Sequence, residues 1–348
     1  MMLDEYLRWL EHNEGLAVST VVSYGGYLKR LQVHCADRGT SLLLADRRVL
    51  EEFTGPVAHQ AGISLSGRRP LIAAVRSFFK WMHDQGKRGD DPAKQVSYPK
   101  VGKPLPTKIS KHYAEQMLLR CDLATFAGWR DAALLAMLIG LGLRVSGLVG
   151  MTSSTLSVER LDNGHDVFFA TVTEKGRKER RIPVPEEALW FLLPYLDHPE
   201  FKALLPGITL LDGSHLLWVQ TNRGSCPAHD WFGEKRRLST NGVRDIIQRR
   251  GQEAGVPDAM LHPHAFRHLY GTELVEHDTD RQKIQMLMGH SSLESSAIYT
   301  HLAERKLAEV VANANPLRGM NTRIHAMHSK VKAKPKAVES RGASGLLR

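Results

Sequence analysis

The sequence predicts a mainly α-helical protein, with an all-α N-terminal domain and a larger mixed α/β domain that is mostly helical and carries a small antiparallel sheet. Three observations lead to this fold class: apolar residues at helical spacing over 1–90, a proline- and lysine-rich stretch at 91–108, and a β-branched, aromatic segment at 167–173. A chain of 348 residues is long enough for two such domains.

The N-terminal domain, residues 1–90, is predicted to be built from helices alone. Its apolar side chains recur every three or four residues in four groups, and no stretch alternates with the period of two that a half-buried strand shows. The four groups are Leu3, Leu7 and Leu10; Val21, Tyr24, Leu28 and Leu31; Val49, Leu50 and Phe53; and Leu71, Val75, Phe78, Phe79 and Met82.

The last of these helices is basic around its apolar stripe. Its basic side chains are Arg68, Arg69, Arg76 and Lys80. Residues 64–108 hold ten Lys/Arg against three Asp/Glu, and residues 313–348 hold eight against one, so the net charge of +10 is concentrated in two places. The four side chains are candidate DNA contacts, because Lys and Arg neutralise phosphates, and a solvated basic face is the alternative.

The second domain, residues 109–314, is predicted to follow an extended linker at 91–108, whose four prolines argue against helix or sheet. Two strands around a turn at 175–178 are predicted to form a hairpin, and the preceding SVERLDNGHD is interpreted as an extended turn. Residues 315–348 are basic and poor in large apolar residues, which predicts a disordered tail. Helices are predicted at 114–119, 129–141, 186–198 and 239–254, and with breaks from 264 to 314.

The composition excludes several classes of protein. The longest uncharged stretch, Ala132–Leu143, is shorter than the roughly 20 residues that span a bilayer, so no membrane role is predicted. Cys35, Cys121 and Cys226 are odd in number and too far apart for a metal knuckle, which indicates a reducing compartment. The first residues carry acids where a signal peptide carries bases, so we expect a cytoplasmic protein.

The stretch HPHAFRHLYG, residues 262–271, places three histidines and an arginine in ten positions. His264 and His268 are four residues apart, a spacing that can hold zinc, but no HExxH glutamate or cysteine pair accompanies them. Pro263 suits the first turn of a helix. A structural corner and half of an active site are therefore the two interpretations to weigh, and no metal site is predicted.

Four residues elsewhere favour the active site. Arg144 stands at the end of the apolar helix, where a charge requires an anion or a partner. Lys175 lies at the predicted hairpin tip, His290 follows a helix that ends in a glycine, and Tyr299 comes nine residues later. Their presence weakens the interpretation of a purely structural corner.

Four motifs in this order resemble the tyrosine recombinases, also called the phage integrase family. They are GLRVSGLVGMT, EKGRKERRIPV, HPHAFRH and MGHSSLESSAIYTHL. The resemblance spans about 190 residues of the second domain. The all-α segment and its linker are similar to the family's N-terminal core-binding domain, and the resemblance implies that the two domains form a C-shaped clamp on DNA.

The resemblance implies six active-site residues by position. They are Arg144, Lys175, His264, Arg267, His290 and Tyr299. The two arginines are similar to the family's phosphate-clamping arginines, and the tyrosine is similar to its nucleophile. The lysine is similar to the hairpin lysine, and the two histidines to those of its HxxR and later GH motifs.

Elementary chemistry supports these roles. Two guanidiniums can hold the phosphodiester oxygens that gain charge in the transition state, and His290 can add a donor. A tyrosine hydroxyl, with a pKa of about 10, needs that cationic site and a base, here His264, to attack at neutral pH. Lys175 could protonate the leaving 5′ oxygen, and Lys178 competes for that role. Since cations neutralise the charge and the covalent intermediate stores the bond energy, neither a metal nor a cofactor is predicted.

The implied reaction cleaves and rejoins DNA strands through a 3′-phosphotyrosyl intermediate, in integration, excision or resolution of a mobile element or replicon. Its implied partners are double-stranded DNA with inverted-repeat core sites, a homotetramer in the synaptic complex, and accessory DNA-bending or directionality proteins. The resemblance therefore also implies that the protein acts in a bacterial cytoplasm, in association with the nucleoid. Leu307, Val310 and Val311 are expected to pack either on a neighbouring subunit or on their own chain.

The sequence departs from the family at one position and leaves several choices open. The family has an acidic residue three positions after the first arginine, and here that position is Gly147, which leaves the support of Arg144 in doubt. Tyr270 and His268 are expected to pack. The two alternatives to a recombinase are a type IB topoisomerase and a catalytically impaired DNA-binding member of the family.

The helix predicted at 239–254 is a candidate for the major groove of DNA, with a solvated face as the alternative. Ser239 is its expected N-cap. The side chains expected to contact DNA from it are Arg244, Gln248 and Arg249.

Overall fold

The computed structural model describes residues 2–102, 107–160, 166–173, 179–289 and 300–332, with the backbone alone at 300–306 and 329–332. Contacts divide the chain into two compact units, Met1–Leu105 and Pro106–Arg348. Helices dominate both units and one small antiparallel sheet lies in the second, which confirms the predicted fold class. No helix in the described ranges is long and apolar enough to span a bilayer.

The first unit is helical, as the apolar spacing predicts. Its elements are α1 (Met2–His12), α2 (Val18–Asp37), α3 (Arg47–Glu52), a π-helical turn (Phe53–Val57), α4 (Ala58–Gln60) and α5 (Leu65–Asp84). The Ser64 hydroxyl caps α5 by accepting from the Gly67 amide at 3.1 Å. Tyr6 of α1 meets Phe78 of α5 edge-on, with ring centroids 5.1 Å apart, so these two helices share one aromatic core.

The start of the predicted linker folds onto this first unit, which differs from the expectation of an extended chain. The Asp91 carboxylate accepts from the Ala93 amide at 3.0 Å and turns the backbone. Ala93 and Val96 are buried in the core of the unit. Prolines exclude helix and sheet here, but they do not prevent a turn from burying two apolar side chains.

The second unit is organised around one buried helix, α7. Thr125 caps it by accepting from the Gly128 amide at 3.1 Å, and every residue from Arg130 to Leu141 is buried. Helices α9 and α12 pack directly against it. The helices of this unit are α6 (Lys111–Leu119), α7 (Phe126–Leu141), α8 (Val145–Val149), α9 (Glu186–Asp197), α10 (Pro199–Ile208), α11 (Thr240–Glu253), α12 (Pro263–Glu276), α13 (Arg281–Met288), α14 (Thr300–Ala314) and α15 (Arg323–Lys332).

The sheet has three antiparallel strands in the order β1-β2-β3: β1 (Leu156–Arg160), β2 (Asp166–Thr173) and β3 (Glu179–Pro183). The predicted hairpin is β2 with β3, in a register that pairs Ala170 with Ile182. β1 was predicted as a turn, which is wrong. It is an edge strand with polar outward side chains, among them Arg160, which bonds to Asp166 at 2.9 Å, so its sequence lacks the apolar signal of a strand.

The predicted tail is folded in its first half, which corrects the expectation of disorder from residue 315. Leu317, Met320 and Ile324 are buried in the core of the second unit, and α15 follows Thr322. Helix α15 packs on α9 and Leu317 lies against Gly140 of α7, so surfaces formed by distant segments bury these apolar residues. Residues 333–348 lie outside the described residues.

The helix α14 packs on its own chain. Leu307 and Val311 are buried in the core of the second unit, and Val310 packs at its edge. These three residues were expected to pack either on a neighbouring subunit or on their own chain. The contacts that the structure describes for them are with their own chain.

The turn after α7 depends on Gly142. Its backbone is left-handed, with φ of +57°, and its amide bonds to the Leu138 carbonyl at 3.1 Å. A Cβ built at this position would lie 2.4 Å from Cδ1 of Tyr270. One turn into α8, a Cβ at Gly147 would lie 3.6 Å from Cβ of Val172, which is an ordinary contact.

We expect Gly142→Ala to lower the free energy of unfolding by more than about 2 kcal/mol, because a left-handed alanine costs roughly 1–2 kcal/mol and the Tyr270 ring must also move. Gly147→Ala is the matched control and should leave stability unchanged or raise it by up to about 1 kcal/mol. Chemical denaturation of both variants measures this. Equal losses would contradict the role given to the turn.

Candidate active site

The site begins where α7 ends. Arg144 is the N-cap residue of α8, two residues after the left-handed turn, and its carbonyl accepts from the Leu148 amide at 3.0 Å. Arg144 is partly buried. The predicted position of Arg144 at the exit of the apolar helix is therefore correct, and the tight turn brings its charge to the end of the core helix.

Arg267 of α12 lies beside that turn. Its Nη1 donates to the carbonyl of Gly142 at 2.8 Å and its Nη2 donates to the carbonyl of Met288 at the end of α13. The side chain is buried. Burial, together with the charges of Arg144 and Arg180, lowers the pKa of Arg267 to about 9. One guanidinium thus joins three chain segments and faces two other arginines.

The stretch HPH is a helix start, as the structural-corner interpretation predicts. The Nδ1 atom of His262 accepts from the Ala265 amide at 3.1 Å, and Pro263 occupies the first turn. His264 stands beside this cap with an exposed ring. His268 is also exposed, so the expectation that it packs is wrong, because its position faces away from the core side of α12.

His264 lies in a cationic neighbourhood. Partial burial lowers its pKa, and His262, Arg267 and Arg144 lower it further. The ordinary value is about 6.5, so the ring is neutral at pH 7 and able to accept a proton.

A third arginine, Arg180 of β3, belongs to the same cluster and was not singled out from the sequence. Its Nε and Nη1 atoms have essentially no exposed surface. Burial, together with the charge of Arg144, lowers the pKa of Arg180 to about 10. The sequence could have indicated this burial, because side chains two residues apart in a strand share a face, and Arg180 therefore shares the face of the buried Ile182 in β3.

The cluster can bind an anion. Guanidiniums donate from a rigid planar fork that matches phosphate oxygens, and a partly buried site strengthens that attraction. Among the described residues no group of three or more His, Cys, Asp or Glu is placed to hold a metal ion.

Four predicted residues lie outside the described residues: Lys175, Lys178, His290 and Tyr299. The described segments end close to each of them. β2 ends at Thr173 and β3 resumes at Glu179, while α13 ends at Met288 and α14 begins at Thr300.

The position where the family has an acidic residue is a buried glycine. Gly147 sits in α8 against Val172 of β2. Gly147 therefore offers no carboxylate to Arg144. At the position of the family's acidic side chain, the helix and the sheet pack closely together instead.

The predicted DNA contacts of the first unit lie on α5. Both Arg69 and Arg76 place their guanidinium carbon 5.4 Å from the ring centroid of Tyr98. Nε of Arg68 donates to the carbonyl of Ile63 at 3.1 Å, and Lys80 is exposed. The predicted cationic face is therefore present on α5, and the Tyr98 ring contacts two of its arginines.

The predicted DNA contacts of the second unit lie on α11, which Ser239 caps as expected, accepting from the Gly242 amide at 3.0 Å. Arg244 donates to the Asn241 side chain at 2.7 Å. Gln248 donates to the Asp258 carboxylate at 3.0 Å.

Arg249 of α11 contacts the core helix α7 as well as solvent. It donates to Asp131 of α7 at 2.9 Å, although its side chain is 52% exposed. Asp131 has no exposed side-chain surface and also pairs with Arg250 and Arg130, each at 2.8 Å. A buried carboxylate thus holds α11 on α7. The sequence signal for this ion-pair network was an acidic residue within an apolar helix. The sequence-based prediction of the site did not include that residue.

The family comparisons agree with this order of motifs. The chain matches the Phage integrase family over residues 108–306. It matches the Phage integrase N-terminal SAM-like domain over residues 3–86.

Curated relatives match over nearly the whole chain. The tyrosine recombinase XerD of Yersinia pestis is 30% identical over 309 residues, which cover 88% of this chain and 94% of the relative. XerD of Pseudomonas putida is 31% identical over 324 residues, covering 90% and 97%. These relatives do not favour the topoisomerase alternative.

Solved structures show the same fold. The XerH site-specific recombinase bound to a palindromic difH substrate has a TM-score of 0.57 at 19% identity, covering 89% of this chain and 83% of that one. The Tn1549 transposon integrase in complex with circular intermediate DNA has a TM-score of 0.58 at 16% identity, covering 87% and 98%. With both units matched in order and the arginines brought together, the chain belongs to the phage integrase family of tyrosine recombinases.

Proposed function

We propose that this protein is a site-specific recombinase that cleaves DNA through a 3′-phosphotyrosyl intermediate and rejoins it to a partner strand. The observation that carries the proposal is the convergence of Arg144 and Arg267, from two helices far apart in sequence, beside the neutral ring of His264. Such a set binds a phosphodiester and can accept a proton next to it.

The two arginines form the phosphate clamp. The Arg267 guanidinium is held in place by two backbone carbonyls, so it is oriented before the substrate arrives. Arg144 adds a second positive charge from the α8 N-terminus. Oriented donors stabilise the charge that develops on the phosphate oxygens in the transition state, because they need not reorganise at that moment.

Tyr299 is the nucleophile and His264 the general base. Attack of the phenol oxygen on phosphorus forms the phosphotyrosyl bond and breaks the bond to the 5′ oxygen, which takes a proton from Lys175, with Lys178 as the competing donor. His290 adds a hydrogen bond to the phosphate. Attack by a 5′-hydroxyl from the partner strand reverses these steps.

The reaction proceeds without a metal or a cofactor. The guanidiniums supply the charge neutralisation that a divalent ion supplies elsewhere, and the phosphotyrosyl bond conserves the energy needed for rejoining. Strand cleavage should therefore persist in excess EDTA, and measuring it there tests this part of the proposal.

The substrate is double-stranded DNA with inverted-repeat core sites, bound in a synaptic homotetramer. Support comes from two structural relatives, the XerH recombinase bound to a palindromic difH substrate and the Tn1549 integrase in complex with circular intermediate DNA. Accessory DNA-bending or directionality proteins choose among integration, excision and resolution, and transposition is one form of that chemistry. The protein acts in the cytoplasm on the nucleoid, where such DNA lies.

DNA is held by the basic faces of α5 and α11. The proposed contacts are Arg68, Arg69, Arg76, Lys80, Arg244, Gln248 and Arg249. Residues on α11 that are tethered to acidic neighbours are presented at fixed positions, which suits reading of base edges.

Tyr299→Phe should abolish covalent protein–DNA adducts on a nicked duplex carrying inverted repeats identified by sequencing the DNA next to the gene, since the variant lacks the attacking oxygen. Its DNA affinity should stay within about threefold of the wild type, because binding depends on the basic faces. Denaturing gels and mobility shifts measure the two quantities. An adduct that survives in this variant assigns the nucleophile elsewhere.

Arg144→Ala should slow single-turnover cleavage by roughly 100-fold or more while DNA affinity changes by only a few-fold, because the clamp acts mainly on the transition state. Arg267→Lys should lose a similar factor, since lysine keeps the charge but lacks the fork that reaches two carbonyls. The control Arg160→Ala removes an exposed arginine from β1. Cleavage by the Arg144 variant at the control's rate contradicts the clamp.

The cleavage rate should fall on acidification with a midpoint below pH 6.5. A lowered pKa keeps His264 neutral, and therefore able to act as a base, down to a pH below its ordinary value of about 6.5. Single-turnover rates between pH 5 and 8 measure the midpoint, and His264→Gln should be slow and lack this acid limb. An unchanged acid limb in that variant moves the base to another group.

A further inference from the structure

The short helix α8, whose N-cap residue is Arg144, is held at its other end by an arginine from a different segment. Nη1 of Arg237 donates to the carbonyl of Val149, the last residue of α8, at 2.8 Å. The last carbonyls of a helix have no partner within it and carry partial negative charge, so a guanidinium placed there stabilises the helix end. A helix of five residues rises only about 7 Å, so Arg144 and this bond lie at the two ends of one short element.

The Arg237 guanidinium is itself held by a carboxylate. Its Nε and Nη2 atoms donate to the two oxygens of Glu234, at 2.6 and 2.7 Å. Hydrogen bonding from Arg237 lowers the pKa of the Glu234 carboxyl, which is therefore ionised at neutral pH. All three nitrogens of the guanidinium thus donate to an acceptor, and the Arg237 side chain is only 20% exposed. A bidentate pair of this kind fixes the direction of the guanidinium.

The backbone of Arg237 is fixed to the core of the second unit. A β-bridge pairs Arg237 with Val219, and the amide of Leu238 donates to the carbonyl of Trp218 at 2.9 Å. Nε2 of Gln220 donates to the carbonyl of Arg237, also at 2.9 Å. Trp218 and Val219 are fully buried. The guanidinium therefore extends from an anchored segment, and its bond to α8 fixes the end of that helix on the segment.

Helix α11 starts immediately after this segment. Its N-cap is Ser239, two residues after Arg237. Helices α8 and α11 also pack on each other. Because α11 carries several of the proposed DNA contacts, Arg237 lies where the helix proposed to bind DNA meets the helix that presents Arg144.

The orientation of α8 depends on hydrogen bonds at its two ends. In its middle, Gly147 lies against Val172 of β2, and such apolar packing is not directional. Before its start, Arg267 donates to the carbonyl of Gly142 at 2.8 Å, in the turn that leads into the helix. Hydrogen bonds have a preferred geometry, so Arg267 at one end and Arg237 at the other define the direction of this short helix.

We propose that Arg237, held by Glu234, is a positioning residue for strand cleavage: it fixes the C-terminal end of α8 to the start of α11, so that DNA bound by α11 meets Arg144 at a defined place. The inference rests on the proposed function. Arg237 acts through α8, and the placement of a clamp residue matters most in the transition state, so its contribution is larger for cleavage than for binding.

The test compares Arg237→Met with the matched control Arg88→Met. In the first unit, Arg88 makes the same kind of contacts: its Nε donates to Asp90 and its Nη1 to the carbonyl of Leu43, each at 2.6 Å, and its side chain is 12% exposed. Methionine keeps an apolar stem at both positions. The control therefore removes an equivalent arginine that has no contact with α8.

At saturating DNA, Arg237→Met should form the covalent adduct on the nicked duplex about tenfold more slowly than the wild type, because a displaced catalytic group lowers the rate more than the affinity. Arg88→Met should stay within about threefold of the wild-type rate. DNA affinity should stay within about threefold for both variants. Equal adduct rates in the two variants would overturn the proposal, and so would a loss of affinity without a loss of rate.

Glu234→Ala should also slow adduct formation, by about threefold or more, because the guanidinium loses the carboxylate that orients it. Combined with Arg237→Met, it should make the protein no slower than Arg237→Met alone, since the two residues act as one unit. Losses that multiply in the double variant would show that the residues act separately and would overturn the proposed pair.

Hydrogen exchange in the DNA-free protein separates local positioning from general stabilisation. The amides of Leu148 and Gly150 donate to carbonyls of the preceding turn at 3.0 and 3.1 Å. They should exchange about tenfold faster in Arg237→Met, while the amides of α7 keep the wild-type rate. A purely structural arginine predicts faster exchange in both helices together with a lower Tm, and that result would overturn the proposal.

The same measurement distinguishes failure of this inference from failure of the proposed function. If the wild type forms no adduct, the recombinase proposal fails, while exchange in α8 still decides whether Arg237 fixes that helix. If the wild type forms the adduct and exchange in α8 is unchanged in Arg237→Met, the inference fails and the recombinase proposal stands.

Discussion

The second unit depends on one buried guanidinium. Arg267 donates to the carbonyl of Gly142 at the end of α7 and to that of Met288 at the end of α13. Those carbonyls belong to helix C-termini, which carry partial negative charge and lack partners within their own helices. The same side chain therefore closes two helices and sets the position of the turn that leads from Gly142 to Arg144, so the candidate site depends on the packing that surrounds it.

This arrangement concentrates positive charge where a soluble protein ordinarily avoids it. Three arginines from three elements share a partly enclosed space, whereas the carboxylate that the family has near the first of them is here Gly147. In the same unit, the buried Asp131 carboxylate pairs with three other arginines and holds α11 on α7.

Most of the fold could be predicted, since helical periodicity depends on local spacing, and it identified the helices that pack around α7. β1 was missed because an edge strand with polar outward residues lacks an apolar pattern. The folded half of the tail was missed for a related reason. Leu317, Met320 and Ile324 are too few to predict a folded segment by themselves, and they are buried because they join the core of the second unit, where α15 packs on α9.

The sequence by itself determined the family, the order of the motifs and the identity of six candidate catalytic residues, because short motifs with fixed polar residues are local properties of a chain. Tertiary structure alone decided that Arg180 lies close enough to Arg144 and Arg267 for their charges to interact, and that partial burial lowers the pKa of His264. The reason is physical: burial and the charges of distant residues set a side chain's protonation and its exposure, and neither is encoded in nearest neighbours along the chain.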